Sequence, residues 1–154
     1  MATLAVQIEA LAGTADNALQ WANDGISAVI DRVLVLDPES SYLFATNIDD
    51  TTSIDISDRR HIISVARGSK IATEIPAEKR FAAAEIDSLQ KATNDYPQYY
   101  YLNQTIQVLP AGSISVSKVD CTTLSNLNGS TISNFPLSLI PLVVNYAAMK
   151  SLQE

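Results

Sequence analysis

The fold turns on residues 61–75, HIISVARGSKIATEI. Two runs rich in β-branched residues, His61 to Arg67 and Lys70 to Ile75, flank the pair Gly68-Ser69. Such runs fit a pleated, half-buried surface, and a two-residue Gly-containing link between them is a hairpin signal. Working outward, the same character continues on both sides. Upstream lie Tyr42-Leu43-Phe44-Ala45-Thr46 and Ser53-Ile54-Asp55-Ile56. Downstream lie Tyr99-Tyr100-Tyr101, Thr105 to Leu109 and Ser113 to Ser117, with Asn103-Gln104 and Pro110-Ala111-Gly112 as turns. Residues 42–119 therefore read as a small antiparallel sheet. Within them, Glu78 to Leu89 (EKRFAAAEIDSL) reads as a helix or an extended arm with a helical turn.

Beyond this block the period changes. Leu4, Ile8 and Leu11 have helical spacing behind Thr3, a suitable N-cap, and Gly13 ends that run. A stronger helix spans about 15–36, with Leu19, Ala22, Ile26, Val29 and Val33 on one face and Thr14 or Asp16 as its cap. Asp37-Pro38 stops it, because proline disfavours helix in the residue before it. Gly25 in its middle costs about 1 kcal/mol relative to Ala, which points to close packing there. Residues 120–134, rich in Ser, Thr and Asn, read as a loop. A last helix is expected over about 138–152, with Leu139, Val143, Tyr146 and Met149/Lys150 sharing a face and Pro141 in the first turn, where a missing N–H costs little. Helices, then sheet, then helix is an α+β arrangement in one domain, 1–154, not the alternation of a parallel sheet.

A chain of 154 residues buries roughly 70% of its unfolded surface and needs neither metal nor disulfide to fold. It is 47% hydrophobic and only 18% charged, which excludes a disordered chain and suits a subunit with large permanent interfaces. The net charge of -7 argues against a general nucleic-acid binder. The charge is uneven: residues 1–58 carry ten acids against one base, whereas residues 59–154 carry nine bases against seven acids. Two solvated faces of one domain, or complementarity between copies, both account for this. The single cysteine, Cys121, fits a reducing compartment. A signal peptide is not expected, because the first residues lack a basic start and Glu9 interrupts the apolar run. Phe135 to Met149 is too short to span a bilayer.

The sequence carries little catalytic or cofactor chemistry. His61 is the only histidine, so no Ser/His/Asp or Cys/His set forms, and one His with one Cys has no zinc spacing. Asp49, Asp50, Asp55 and Asp58 cluster but lack the calcium-loop pattern. No glycine-rich phosphate loop exists. Arg59, Arg60, Arg67, Lys70, Lys79, Arg80 and Lys91 form a basic band followed by Tyr96, Tyr99, Tyr100 and Tyr101. Basic residues with aromatics can hold single-stranded nucleic acid, but four acids share the band, and tyrosine is equally at home in cores and protein interfaces.

Three stretches resemble the small head-tail connector proteins of tailed bacteriophages. Gln20 to Val33 (QWANDGISAVIDRV) is similar to their L-x-W-x-N-x-G-x-x-x-h-x-x-R helix. Ser88-Leu89 with Ala92-Thr93, then Pro97 through Tyr99-Tyr100, Asn103, Ile106, Val108 and Pro110, resembles an S-L-x-x-A-T … P-x-Y-Y-x-x-N-x-x-I-x-V-x-P run. Phe135-Pro136 through Val144, Tyr146-Ala147-Ala148, Lys150 and Leu152 resembles a closing F-P-x-x-h-x-x-h-V-x-Y-A-A-x-K-x-L helix.

The resemblance implies a structural virion protein: a homo-oligomeric ring, commonly dodecameric, at the portal neck between capsid and tail, assembled in the bacterial host cytoplasm. Its implied partners are the portal protein and a tail or further neck protein, with genomic DNA passing without specific binding. It implies no cofactor, no catalytic residue, no enzyme activity and no membrane. It further implies that the N-terminal helices form the ring body and that loops such as 120–134 are ordered by a partner. Stopper or tail-terminator roles, a nucleic-acid-binding module, and a hydrolase using Cys121 or His61 are the alternatives. The interface candidates are Trp21, Asp24, Arg59, Arg60, Arg67, Tyr99, Tyr101, Phe135 and Tyr146.

Overall fold

A computed structural model describes residues 2–13, 16–56, 61–120 and 122–153. The helices are α1 (Leu4–Ala12), α2 (Ala18–Leu36), α3 (Arg80–Ala84) and α4 (Ile140–Ser151). The strands are β1 (Ala45–Asp50), β2 (Ser53–Asp55), β3 (Ile62–Arg67), β4 (Lys70–Ile71), β5 (Thr73–Glu74), β6 (Gln98–Leu102), β7 (Thr105–Leu109) and β8 (Ile114–Val119). The fold is α+β. Its residues fall into two compact units: 1–44 with 120–154, which is helical, and 45–119, which is built of strands.

In the helical unit, α1 starts where expected: the Val6 amide donates to Thr3 Oγ1 at 3.3 Å. It ends at Gly13, whose φ of 75° is the left-handed conformation glycine adopts without strain. Residue 37 ends α2, and Pro38–Phe44 continues as a 3-10 turn in which the Ser40 amide and hydroxyl both bond Asp37. The core joins Leu4 and Ile8 of α1, Ala22, Ile26 and Ile30 of α2, and Val143, Val144, Ala147 and Ala148 of α4, with Phe44 and Phe135 stacked tilted at 5.4 Å. Each large aliphatic side chain so buried contributes about 1.5–3 kcal/mol. Gly25 lets α2 and α4 approach: a Cβ there would lie 3.1 Å from Tyr146 Cδ1 and 3.3 Å from the Val143 carbonyl oxygen.

Residues 122–134 have no regular structure yet are held by this unit's own helices. The Leu4 and Ala5 amides, unpaired within the first turn of α1, donate to the Gly129 and Leu127 carbonyls at 2.8 and 3.1 Å. The Asn23 side chain clamps the Leu124 backbone in both directions, at 2.7 and 3.1 Å. The expectation that a partner orders this loop is therefore corrected: α1 and α2 already supply its hydrogen bonds, and Ile132 is buried.

The strand unit holds two four-stranded sheets, ordered β1-β8-β3-β4 and β2-β7-β6-β5. Every pairing is antiparallel except β5 with β6. One core serves both: Ile54, Ile56, Ala72, Ile106 and Val108 with Val65, Ile114 and Val116. The chain changes sheet after Asp50, between β2 and β3, at Ala72 and through Pro110–Gly112. Gly68, with φ 58°, closes the β3–β4 hairpin. Asn103 and Gln104, with φ 49° and 63°, close the β6–β7 hairpin as a turn of the primed type that matches strand twist.

Three local expectations are revised and one alternative is resolved. Tyr42, Leu43 and Phe44 are not strand, because Phe44 is drawn into the helical core and β1 begins only at Ala45. The Lys70–Ile75 run splits, because Ala72 crosses between sheets with its amide on the Val65 carbonyl. Of the two forms open to 78–89, the extended arm with a helical turn is the one found: α3 follows a 3-10 turn at Ala77–Lys79, Glu85 turns extended and Ser88 redirects local bonds to Glu85 and Gln90. The buried stripe of α4 runs through 140, 143, 144, 147 and 148, so Met149 is half exposed.

Candidate functional site

The strand unit contains a cleft of about 530 Å³. His61 and Ile62 at the start of β3, Glu74 on β5, and Tyr99 and Tyr101 on β6 line it, with Asn103 and Gln104 from the hairpin turn. Residues 99 and 101 alternate with 100, so both phenol rings face the cleft side of β6 while Tyr100 is buried with its hydroxyl on Gln107 Oε1 at 2.6 Å. The two rings meet edge to face, centroids 5.7 Å apart. The parallel pairing sets Glu74 opposite Tyr99, and the Tyr99 hydroxyl donates to Glu74 Oε2 at 3.2 Å. Partial burial, the neighbouring Tyr101 and the Glu74 carboxylate push the Tyr99 phenol well above its usual range. Burial also raises Tyr101, against a lowering hydrogen bond from Tyr99. Both phenols are neutral donors at physiological pH.

The interface candidates are dispersed. Tyr99 and Tyr101 meet in this cleft. Trp21 is half-buried on α2, and its Nε1 is buried without a hydrogen-bond partner. Asp24 is exposed on the same helix. Arg67 is committed to its own chain: Nε donates to the Pro110 carbonyl at 2.6 Å and Nη2 to the Ala111 carbonyl at 2.9 Å. Phe135 is only 8% exposed and packs on Phe44, which places it in the core. Tyr146 lies against Gly25, with Lys150 Nζ 6.0 Å from its ring. Arg59, Arg60, Asp58, Thr14 and Cys121 lie outside the described residues.

Sequence reasoning missed the apolar surface. Along residues 81–96 of the strand unit, Phe81 is 70% exposed, Ile86 75%, and Leu89 fully so, with Tyr96 exposed after them. The segment is nonetheless anchored: Ala83 and Ala92 are buried, and the Ala92 amide donates to the Ala83 carbonyl at 2.9 Å. On the helical unit, Val35, Leu36 and Tyr42 are exposed around the end of α2, as are Leu137, Leu142 and Leu152 around α4. The open reading of 78–89, helix or extended arm, assigns no exposed face to Phe81, Ile86 and Leu89. The helical unit also carries eight acids against two bases, a net of -6, so nearly all of the chain's net charge of -7 belongs to it.

Among the described residues, no helix is long and apolar enough to cross a membrane, and no cluster of His, Cys, Asp or Glu is arranged to hold a metal ion. No protein-family model matches the chain, and no curated protein matches it.

Proposed function

We propose that this chain is a structural virion protein of a tailed bacteriophage: a head-to-tail connector subunit that closes into a ring at the portal neck and lines the DNA channel. One observation carries the reading: large apolar side chains stand exposed on a segment that is itself well anchored. A soluble monomer rarely exposes contiguous apolar surface beyond a few hundred Å², and a permanent ring covers it. Phe81, Ile86 and Leu89 are the contact that a neighbouring copy would bury.

Three further features support it. The stretches that resemble connector helices, on α2 and α4, pack together through Gly25 and Tyr146. The third resembling stretch takes in Leu89 of the exposed segment and the β6–β7 hairpin. The acidic helical unit suits a channel wall, because like charge lets DNA slide without holding phosphate. The test is sedimentation of the wild type against Leu89→Glu and Phe81→Ser. The reading expects oligomers for the wild type and a shift toward monomer for both variants, with unchanged circular dichroism. Unaltered assembly in both would remove this segment from the interface.

A further inference from the structure

We propose that the cleft of the strand unit binds an organic cation, a guanidinium or alkylammonium group, with Glu74 as its counter-ion and Tyr99 and Tyr101 as aromatic walls. The proposal stands on the cleft alone and is independent of the assembly reading.

Among the described lining residues, Glu74 is the one carboxylate and none is lysine or arginine. An anion entering would meet the negative charge of Glu74, whereas a cation would neutralise it. The Tyr99 hydroxyl holds one carboxylate oxygen at 3.2 Å and so fixes the orientation of the acceptor. That leaves Oε1 for an incoming N–H, and a charge-assisted bond of this kind is about twice as strong as a neutral one. The edge-to-face pair of rings, 5.7 Å apart, supplies π surface beside the carboxylate. Aromatic faces attract ammonium and guanidinium groups within about 6 Å of the ring centre. Both phenols are neutral, so neither adds a negative charge of its own, and the Tyr99 hydroxyl donates to the carboxylate. Asn103 and Gln104 add amide oxygens that accept further N–H groups. Ile56 and Ile62 complete a lining suited to a methylene stem. A volume of about 530 Å³ admits a whole arginine side chain.

The cation has two possible sources, a free small molecule or a basic side chain of a protein segment. The experiment is a chemical-shift titration of the full-length protein. Its probes are N-acetyl-arginine amide, N-acetyl-citrulline amide, which is nearly isosteric and uncharged, and the peptide acetyl-Gly-Arg-Gly-amide. Saturable shifts at Tyr99 and Tyr101 with the arginine probe, at least about tenfold weaker with citrulline, are expected. Glu74→Gln should weaken arginine binding about tenfold while the spectrum stays dispersed. Tyr101→Phe, which keeps the ring, should bind within about threefold of wild type, and Tyr101→Leu should bind less tightly than Tyr101→Phe. Tighter binding of the peptide assigns a protein segment as the source; equal binding assigns a small free cation. Equal affinity for arginine and citrulline, shifts elsewhere only, or no effect of Glu74→Gln would overturn the proposal.

Discussion

Gly25→Ala tests the packing that holds the helical unit together, because two opposing effects of similar size meet at one methyl group. In an exposed helix interior, replacing glycine with alanine stabilises by about 1 kcal/mol. Here the new Cβ would stand 3.1 Å from Tyr146 Cδ1 and 3.3 Å from the Val143 carbonyl oxygen. The tyrosine ring can rotate away by a few tenths of an ångström. The carbonyl belongs to the backbone of α4 and moves only with that helix. Overpacking of this kind costs about 1–3 kcal/mol. The contact outweighs the propensity, so the variant should lose about 1 kcal/mol, or about 2–4 °C in Tm for a chain of this size. Thermal and urea unfolding followed by far-UV circular dichroism measure it. The double variant Gly25→Ala/Tyr146→Ala should recover part of the loss relative to additivity, because the methyl group then occupies space the ring vacates. A rise in Tm for Gly25→Ala alone would refute the close approach of α2 and α4.

Further outcomes follow from single contacts. Arg67→Ala removes two hydrogen bonds to the Pro110 and Ala111 carbonyls and should destabilise the strand unit by about 2 kcal/mol; Gly112→Ala, whose Cβ would lie 2.8 Å from Arg67 Nη2, should act through the same contact, so urea unfolding of the double variant should be less than additive. Trp21→Phe removes a buried N–H that has no acceptor, so its stability in urea should stay within about 1 kcal/mol of wild type despite the smaller ring. Tyr99 and Tyr101 are raised above the ordinary phenol value of 10.0, so the folded state prefers them protonated. Their contribution to stability is therefore complete below pH 10 and is lost as pH rises above it, and ultraviolet titration should show two phenols ionising later than exposed tyrosine.

Much of the architecture was legible because local signals and tertiary packing agree. Thr3, Gly13, Asp37-Pro38 and Gly68-Ser69 act through their own backbone chemistry, and each marks the boundary expected of it. Gly25 was readable for the same reason, since a helix tolerates its cost only where something is gained. The failures lie where distant partners decide. Phe44 has strand character, but Phe135, far along the chain, draws it into the helical core. Ala72 looks like mid-strand, yet the two-sheet arrangement needs a crossing point there. One sheet was expected where there are two, because strand periodicity says which face is buried and not which sheet the strand joins. The cleft was half visible: Tyr99 and Tyr101 share a strand face by alternation, but Glu74 reaches them only through a parallel pairing that spans 25 residues. Nothing in the sequence marks Phe81, Ile86 and Leu89 as exposed, because their covering depends on where α3 ends, which is at Ala84.

The account's central claim is that this chain assembles into a ring that docks on a portal. Cryo-electron microscopy of the purified protein, alone and mixed with a portal ring, tests it most directly. The account predicts closed rings with residues 81–96 buried between neighbouring copies, the acidic helical unit toward the channel, and a stacked complex when portal is added. A monodisperse monomer at every concentration, with no density added to the portal, would contradict it.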